Sequence, residues 1–259
     1  MKRRFEIHIT VLRVFSVLCL MVLMSSGGRA QIPDEFTNLK VLSKDISKQE
    51  LMGTMRGYAS ALDVACNHCH VGEDPDSLEG YDFASDEKET KRVARVMIGM
   101  TTEINNSFMP KTEREEPVEV SCATCHRGVQ RPEPIEKIFL MQAEEEGLEA
   151  AIAEYRQLRD KHYGSAAYDF SASSLDGVTE YLAMQRADFA GAKAVNDLNL
   201  EFYPDSGYTL FLRARLQFRE GDRDGAIATL ERAIKHNPDM DWLEKQLEEV
   251  KNAPMGPHG

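Results

Sequence analysis

Cys66-Asn67-His68-Cys69-His70 and, further along, Cys122-Ala123-Thr124-Cys125-His126 are the two stretches on which the reading of this chain turns. Cys-x-x-Cys-His is the attachment pattern of a c-type haem. Two cysteines three apart on a helical turn can reach the two vinyl groups on one edge of a porphyrin, and the next residue points its imidazole at the iron. Cys66, Cys69, Cys122 and Cys125 are therefore expected to hold two haems covalently, with His70 and His126 as iron ligands. The competing chemistries fit less well. Zinc-binding pairs usually lie closer together and give no reason for a histidine after both pairs. Reactive dithiols would need a thioredoxin-like strand–helix pattern, which is absent. Disulfides closed across three residues would constrain very little of the chain.

The surroundings of the motifs point to export. Lys2-Arg3-Arg4 precedes an apolar run from Val14 to Met24, too short to span a bilayer, and Gly28-Arg29-Ala30 offers small side chains for a peptidase. Residues 1–30 read as a signal peptide cleaved after Ala30, giving a periplasmic or otherwise exported protein, with an uncleaved membrane anchor as the rival. Cys19 lies inside the apolar run, behind Leu18 rather than a small residue, and is expected to be discarded with it. The chain as a whole carries a net charge of -12, although Lys2, Arg3, Arg4, Arg13 and Arg29 outnumber Glu6 in the first 30 residues. So acidic a mature surface excludes nucleic acid and anionic membrane surfaces as partners and suits a basic protein.

The chain divides near Arg131-Pro132-Glu133-Pro134, where two prolines favour an extended link. Residues 31–135 form one expected domain and residues 136–259 another. In the first, Ser47-Lys48-Gln49-Glu50 is a capping box, and Leu51, Met55, Tyr58 and Leu62 recur at helical spacing up to the first motif. A second helix is expected to start near Asp86, with Val93, Val96, Met97, Met100, Ile104 and Phe108 as its apolar stripe and Pro110 after its end. Between them, Gly72 to Asp86 is acidic but lacks the ligand spacing of a calcium loop. In the second domain Asp188, Ala192, Ala194, Leu200 and Pro204 recur 34 residues later as Asp222, Ala226, Ala228, Ile234 and Pro238. That period is typical of tetratricopeptide helical hairpins, and residues 144–161 read as one more helix of the kind. Fewer than three full repeats are visible, so the array needs to pack on something else.

A low-spin electron carrier needs a sixth ligand for each iron, and methionine sulfur favours the reduced state. Met55 stands eleven residues before Cys66 and Met100 stands 22 before Cys122, each on the apolar face of its helix. Met52, Met97 and Met109 compete on spacing alone, and plain core packing is the common use of such methionines. His68 should face away from the iron, while His162 and His236 are expected at the surface.

Thr54-Met55-Arg56-Gly57-Tyr58-Ala59-Ser60-Ala61-Leu62 leading into the first motif resembles the haem-binding segments of the photosynthetic reaction centre cytochrome subunit family. So does Ala94-Arg95-Val96-Met97-Ile98-Gly99-Met100, followed by Glu103-Ile104-Asn105 and the second motif. The resemblance covers about residues 37–135. It implies that a methionine on the helix before each motif ligates the iron, which favours Met55 and Met100 over their neighbours. The photosynthetic members carry four haems in two related halves, whereas two motifs stand here with a helical repeat region after them.

The expectation is an all-α protein: a dihaem c-type cytochrome domain followed by tetratricopeptide-like repeats. It would be an electron carrier rather than an enzyme. Its partners would be redox proteins, a donor and an acceptor, with a membrane-bound redox complex one candidate and the repeat domain as the docking element. The alternative is a dihaem peroxidase-like enzyme with one open iron, and a third reading is a scaffold whose haems sense redox state.

Overall fold

The computed structural model describes residues 32–116 and 118–254; the signal-peptide reading of residues 1–30 and Cys19 lie outside them. Among the described residues there is no strand, only an isolated antiparallel bridge between Val71 and Asp82, so the all-helical class expected from the motifs is the class observed. No helix among them is long and apolar enough to cross a membrane. The chain forms two compact units, one ending at Thr124 and the next starting at Cys125.

The first unit holds α1 (Lys48–Leu62) and α2 (Glu89–Glu103). The Ser47 hydroxyl caps α1 by accepting from the Glu50 amide at 3.2 Å. Asp63, in the left-handed region with φ 53°, ends it just before the first motif. α2 starts three residues later than expected. Asp86 does not cap it, because its carboxylate accepts from Lys40, Arg95 and Asn38 instead. A π-helical turn, Ile104–Phe108, and a 3-10 turn, Met109–Thr112, continue α2 and carry the chain toward the short α3 (Cys122–His126).

The core of this unit is small among the described residues. Leu51 and Ala61 are its buried hydrophobic residues. On the apolar stripe of α2, Val93, Val96, Met100 and Phe108 are 52, 71, 43 and 58% exposed. The wholly buried residue of α2 is Lys91, on the other side of the helix. Polypeptide alone does not cover the apolar stripe.

The second unit is built conventionally. It contains α4 (Ile135–Glu145), α5 (Leu148–His162), α6 (Ala172–Glu180), α7 (Phe189–Phe202), α8 (Gly207–Arg219), α9 (Arg223–His236) and α10 (Trp242–Asn252). The single helix expected over 144–161 is split, because Gly147 at φ 95° lets the chain turn between α4 and α5. Among the described residues, twenty buried hydrophobic side chains form its core. Tyr155 centres one cluster with Phe139, Phe170 and Leu175, while Leu210, Leu230 and Leu243 form another.

The 34-residue period is visible as geometry. α7 and α9 are each 14 residues long, and each is capped by an aspartate, Asp188 or Asp222, accepting from Gly191 or Gly225 at 2.9 Å. A Cβ on either glycine would lie 2.2 or 2.0 Å from the capping carboxylate, so the cap requires glycine there. Ala192 and Ala226 are fully buried in the repeated helices.

One buried charge in this unit gives a prediction. Asp176 is 4% exposed, and burial pushes its carboxyl pKa up to about 6, against a hydrogen bond from Asn199 at 2.8 Å that acts the other way. The folded state therefore binds this proton more tightly than the unfolded state. The cost appears as pH rises from about 4 to about 6 and stays constant above that. Asp176→Asn is expected to stabilise this unit by about 2 kcal/mol at pH 8 and by nothing at pH 3.5. Thermal unfolding followed by the emission of Trp242, the single tryptophan and a residue of this unit, checks it.

Candidate functional site

After α1 ends, Cys66–His68 forms a 3-10 turn, and the His70 amide donates to the Cys66 carbonyl at 3.0 Å. The turn is held from the start of α2. The Lys88 ammonium donates to the Asn67 carbonyl, and the Thr90 hydroxyl donates to the His68 carbonyl. Cys66 and Cys69 carry free thiols, Cys66 exposed and Cys69 half-buried. Burial is the main effect raising the Cys69 thiol pKa, and a Thr90 hydrogen bond opposes it.

His70 is inward-facing. Its Nδ1 is buried without a hydrogen bond, the Phe83 ring meets it edge-on at 5.1 Å, and burial first, then Lys91, lowers its proton affinity. A neutral imidazole is the form that ligates a metal. Phe83 is held by the loop that the Val71–Asp82 bridge folds back. Tyr81 packs on Phe83 at 5.4 Å, and its hydroxyl donates to the Asp74 carbonyl at 2.8 Å. Tyr81 also lies where a Cβ on Gly72 would be, 2.4 Å from the ring, which explains the glycine.

Cys66, Cys69 and His70 line a cavity of about 320 Å³ together with Met52, Met55 and Leu62 of α1. The sequence-predicted residues of the first site are thus brought to one space, which both candidate methionines reach. Tyr58 lines it too, and its hydroxyl pKa is raised chiefly by burial and secondarily by the Cys122 sulfur.

The second motif is organised by different contacts. The Asn105 side chain clamps the backbone of Val120 in both directions, Nδ2 donating to the carbonyl and Oδ1 accepting from the amide, each at 2.8 Å. This fixes the end of the α2 extension to the residues before Cys122. Within α3, Cys122 and Cys125 stand one turn apart. His126 Nδ1 lies 2.9 Å from the Val129 carbonyl, and Arg127 and Gly128, both at positive φ, make the turn that allows it. An imidazole donating from Nδ1 keeps Nε2 bare as a ligand. Met100 stands on the uncovered stripe of α2, while Met97 and Met109 are half-buried.

A porphyrin is large, flat and apolar, and the residues fit one. The first site offers a cavity with two sulfurs and an imidazole of lowered proton affinity, and the helix that precedes the second motif in the chain carries an uncovered apolar face. Among the described residues, no three His, Cys, Asp or Glu side chains converge as a metal-ion cage.

Several contributors were not legible in the sequence. Phe83, Thr90, Asp86, Lys91 and Asn105 act through loop closure or through the backbone, and only Asn105, a polar residue on an apolar stripe, carried any mark of it. His162, expected at the surface, is buried at 8% exposure against Tyr168, because α5 runs on to that residue and turns its last face inward.

A family model described as "Photosynthetic reaction centre cytochrome C subunit" matches residues 20–199. The photosynthetic reaction center cytochrome c subunit of Roseobacter denitrificans is 35% identical over 111 residues, which are 42% of this chain and 28% of that protein. The subunit of the same name from Rubrivivax gelatinosus is 33% identical over 113 residues, 43% of this chain and 27% of that one. The matched stretch thus spans about a quarter of the length of these relatives. No solved structure matches. With two haem-attachment motifs, the helices that present them and a family match over more than half its length, the chain belongs to the photosynthetic reaction centre cytochrome c subunit family.

Proposed function

We propose that this chain is an exported dihaem c-type cytochrome that passes electrons between protein partners. Cys66 with Cys69, and Cys122 with Cys125, hold the two haems through thioethers; each S–H adds across a vinyl group, so no oxidant is consumed. His70 and His126 would hold the irons through their imidazoles, and Met55 and Met100 would be the sulfur ligands. When bound, the haem supplies a one-electron iron couple. The chain's own residues orient the imidazoles through Phe83 and the Val129 carbonyl.

One observation carries the reading. Among the described residues, the unit with both helices that lead into the motifs has two buried hydrophobic residues, while its neighbour has twenty. A segment of that size cannot stay folded on so small a core and needs a cofactor, metal or staple. Its apolar side chains instead line a cavity beside one motif and a bare helix face before the other.

The curated relatives are reaction-centre subunits. For this chain the partners are redox proteins, a donor and an acceptor, and the tetratricopeptide-like second unit is the docking element. Tyr208 and Trp242, 36 and 40% exposed and 6.1 Å apart, are a pair of surface aromatics it offers for this. A pyridine haemochrome assay and intact mass on the exported protein are expected to give two haems per chain, and a redox titration two reversible one-electron steps. An unmodified polypeptide, or one holding zinc, overturns the proposal.

A further inference from the structure

The second unit builds one helix junction twice, and the two versions differ in chemistry. Residues 176, 196, 199 and 209 become 210, 230, 233 and 243 when shifted by the 34-residue period. The later set is Leu210, Leu230, Ala233 and Leu243, which lie together in the hydrophobic cluster of α8, α9 and α10. The earlier set is Asp176, Asn196, Asn199 and Thr209 on α6, α7 and α8, each buried at 4% exposure or less. Leucine and alanine fill these places one repeat later, so packing does not require the polar version. Burying a carboxylate and two amides also costs free energy that aliphatic side chains would not.

The polar groups bond to one another across the three helices. Asn199 Nδ2 donates to Asp176 Oδ1 at 2.8 Å, to the Ala172 carbonyl at 2.9 Å and to the Thr209 hydroxyl at 3.2 Å. Asn196 Nδ2 donates to the Thr209 carbonyl at 2.9 Å. α7 thus joins α6 to α8, and Thr209 is what α8 contributes. One period before and after Thr209 stand Leu175 of α6 and Leu243 of α10, both wholly buried. The hydroxyl therefore marks α8 apart from the helices on either side of it in the repeat.

We propose that this junction is a registry key, which lets α8 and no other repeat helix close on α6 and α7. Similar repeats are prone to stack out of turn, within one chain or between two copies. α10 in the place of α8 would set Leu243 where Asn199 finds a hydroxyl, and would strip water from Asp176 and both asparagines without matching their hydrogen bonds. α8 matches them. A polar residue at an otherwise apolar core position fixes register and oligomeric state in the same way in helical coils, at some cost in stability. The inference goes beyond the electron-transfer reading and does not depend on it.

The experiment gives the first junction the residues of the second: Asp176→Leu, Asn196→Leu, Asn199→Ala and Thr209→Leu together, in the exported full chain. Light scattering on a sizing column reads self-association. The fluorescence lifetimes of Trp242, whose ring meets Phe211 of α8 at 5.0 Å, read whether α10 keeps its place. At an unchanged or higher melting temperature, the variant is expected to show species of at least twice the wild-type mass, or a second Trp242 lifetime population. Wild-type mass together with the wild-type lifetime distribution would overturn the inference. Aggregation at a lowered melting temperature would overturn it too, because it reports a lost core rather than a lost register. Should the variant not accumulate, Asn196→Leu/Thr209→Leu, which keeps the Asp176–Asn199 pair, decides by the same readings.

Discussion

Cys66→Ser/Cys69→Ser is expected to lose one of two haems and, with it, the folded state of the first unit, while the second unit stands. The haemochrome absorbance should halve. Protease should then cut freely between residues 32 and 124, and the thermal transition reported by Trp242 should keep its midpoint. The reasoning is energetic. Ordering a residue costs about 1–2 kcal/mol of backbone entropy, and burial of apolar surface is what offsets it. In the first unit Leu51 and Ala61 are the hydrophobic side chains that protein atoms bury. Removing the first haem leaves a space of about 320 Å³ against Met52, Met55 and Leu62, and two buried side chains are too few to hold the unit folded around it. Equal protease resistance in the variant and the wild type would show that the unit has a core of its own, and the dependence of fold on cofactor would be wrong.

The same imbalance explains which parts were legible in the sequence. The motifs, the capping box at Ser47 and the 34-residue period depend on neighbours a few residues away, and each stands where periodicity puts it. The stripe on α2 was also read correctly as apolar, with Met100 on it open to ligation or to plain packing. Periodicity says that a face is apolar without saying whether protein or something else covers it, and here protein does not. Lys91 escaped for the opposite reason. A lysine four residues before Arg95 on one helix reads as solvated charge, yet the loop at Phe83 and Ser85 folds over it and supplies two carbonyls. His162 likewise became buried through the path of α5 and the position of Tyr168. Asn105 and Asp86 make contacts 15 and 48 residues away, and no local rule encodes such partners.

Met55→Ala is expected to lower the potential of the first haem by about 200 mV, a fraction of the roughly 0.8 V range that axial ligation spans. It should also abolish that haem's sulfur-to-iron charge-transfer band and open its iron to cyanide. Met52→Ala should do none of these. The distinction matters because both methionines line the cavity and stand three apart, on neighbouring turns of one face of α1. Chain geometry leaves two sulfurs within reach of one space, and only ligation separates them. On α2 the same ambiguity recurs one turn apart, Met97 half-buried and Met100 43% exposed. A ligand held under a porphyrin would be exposed until that porphyrin covers it, which favours Met100. Met100→Ala should therefore reproduce the Met55→Ala result on the other step, with Met97→Ala as its silent control. A second haem whose spectrum is indifferent to both substitutions, and which binds cyanide in the wild type, would have an open iron. The carrier reading would then give way to peroxidase-like chemistry at that site.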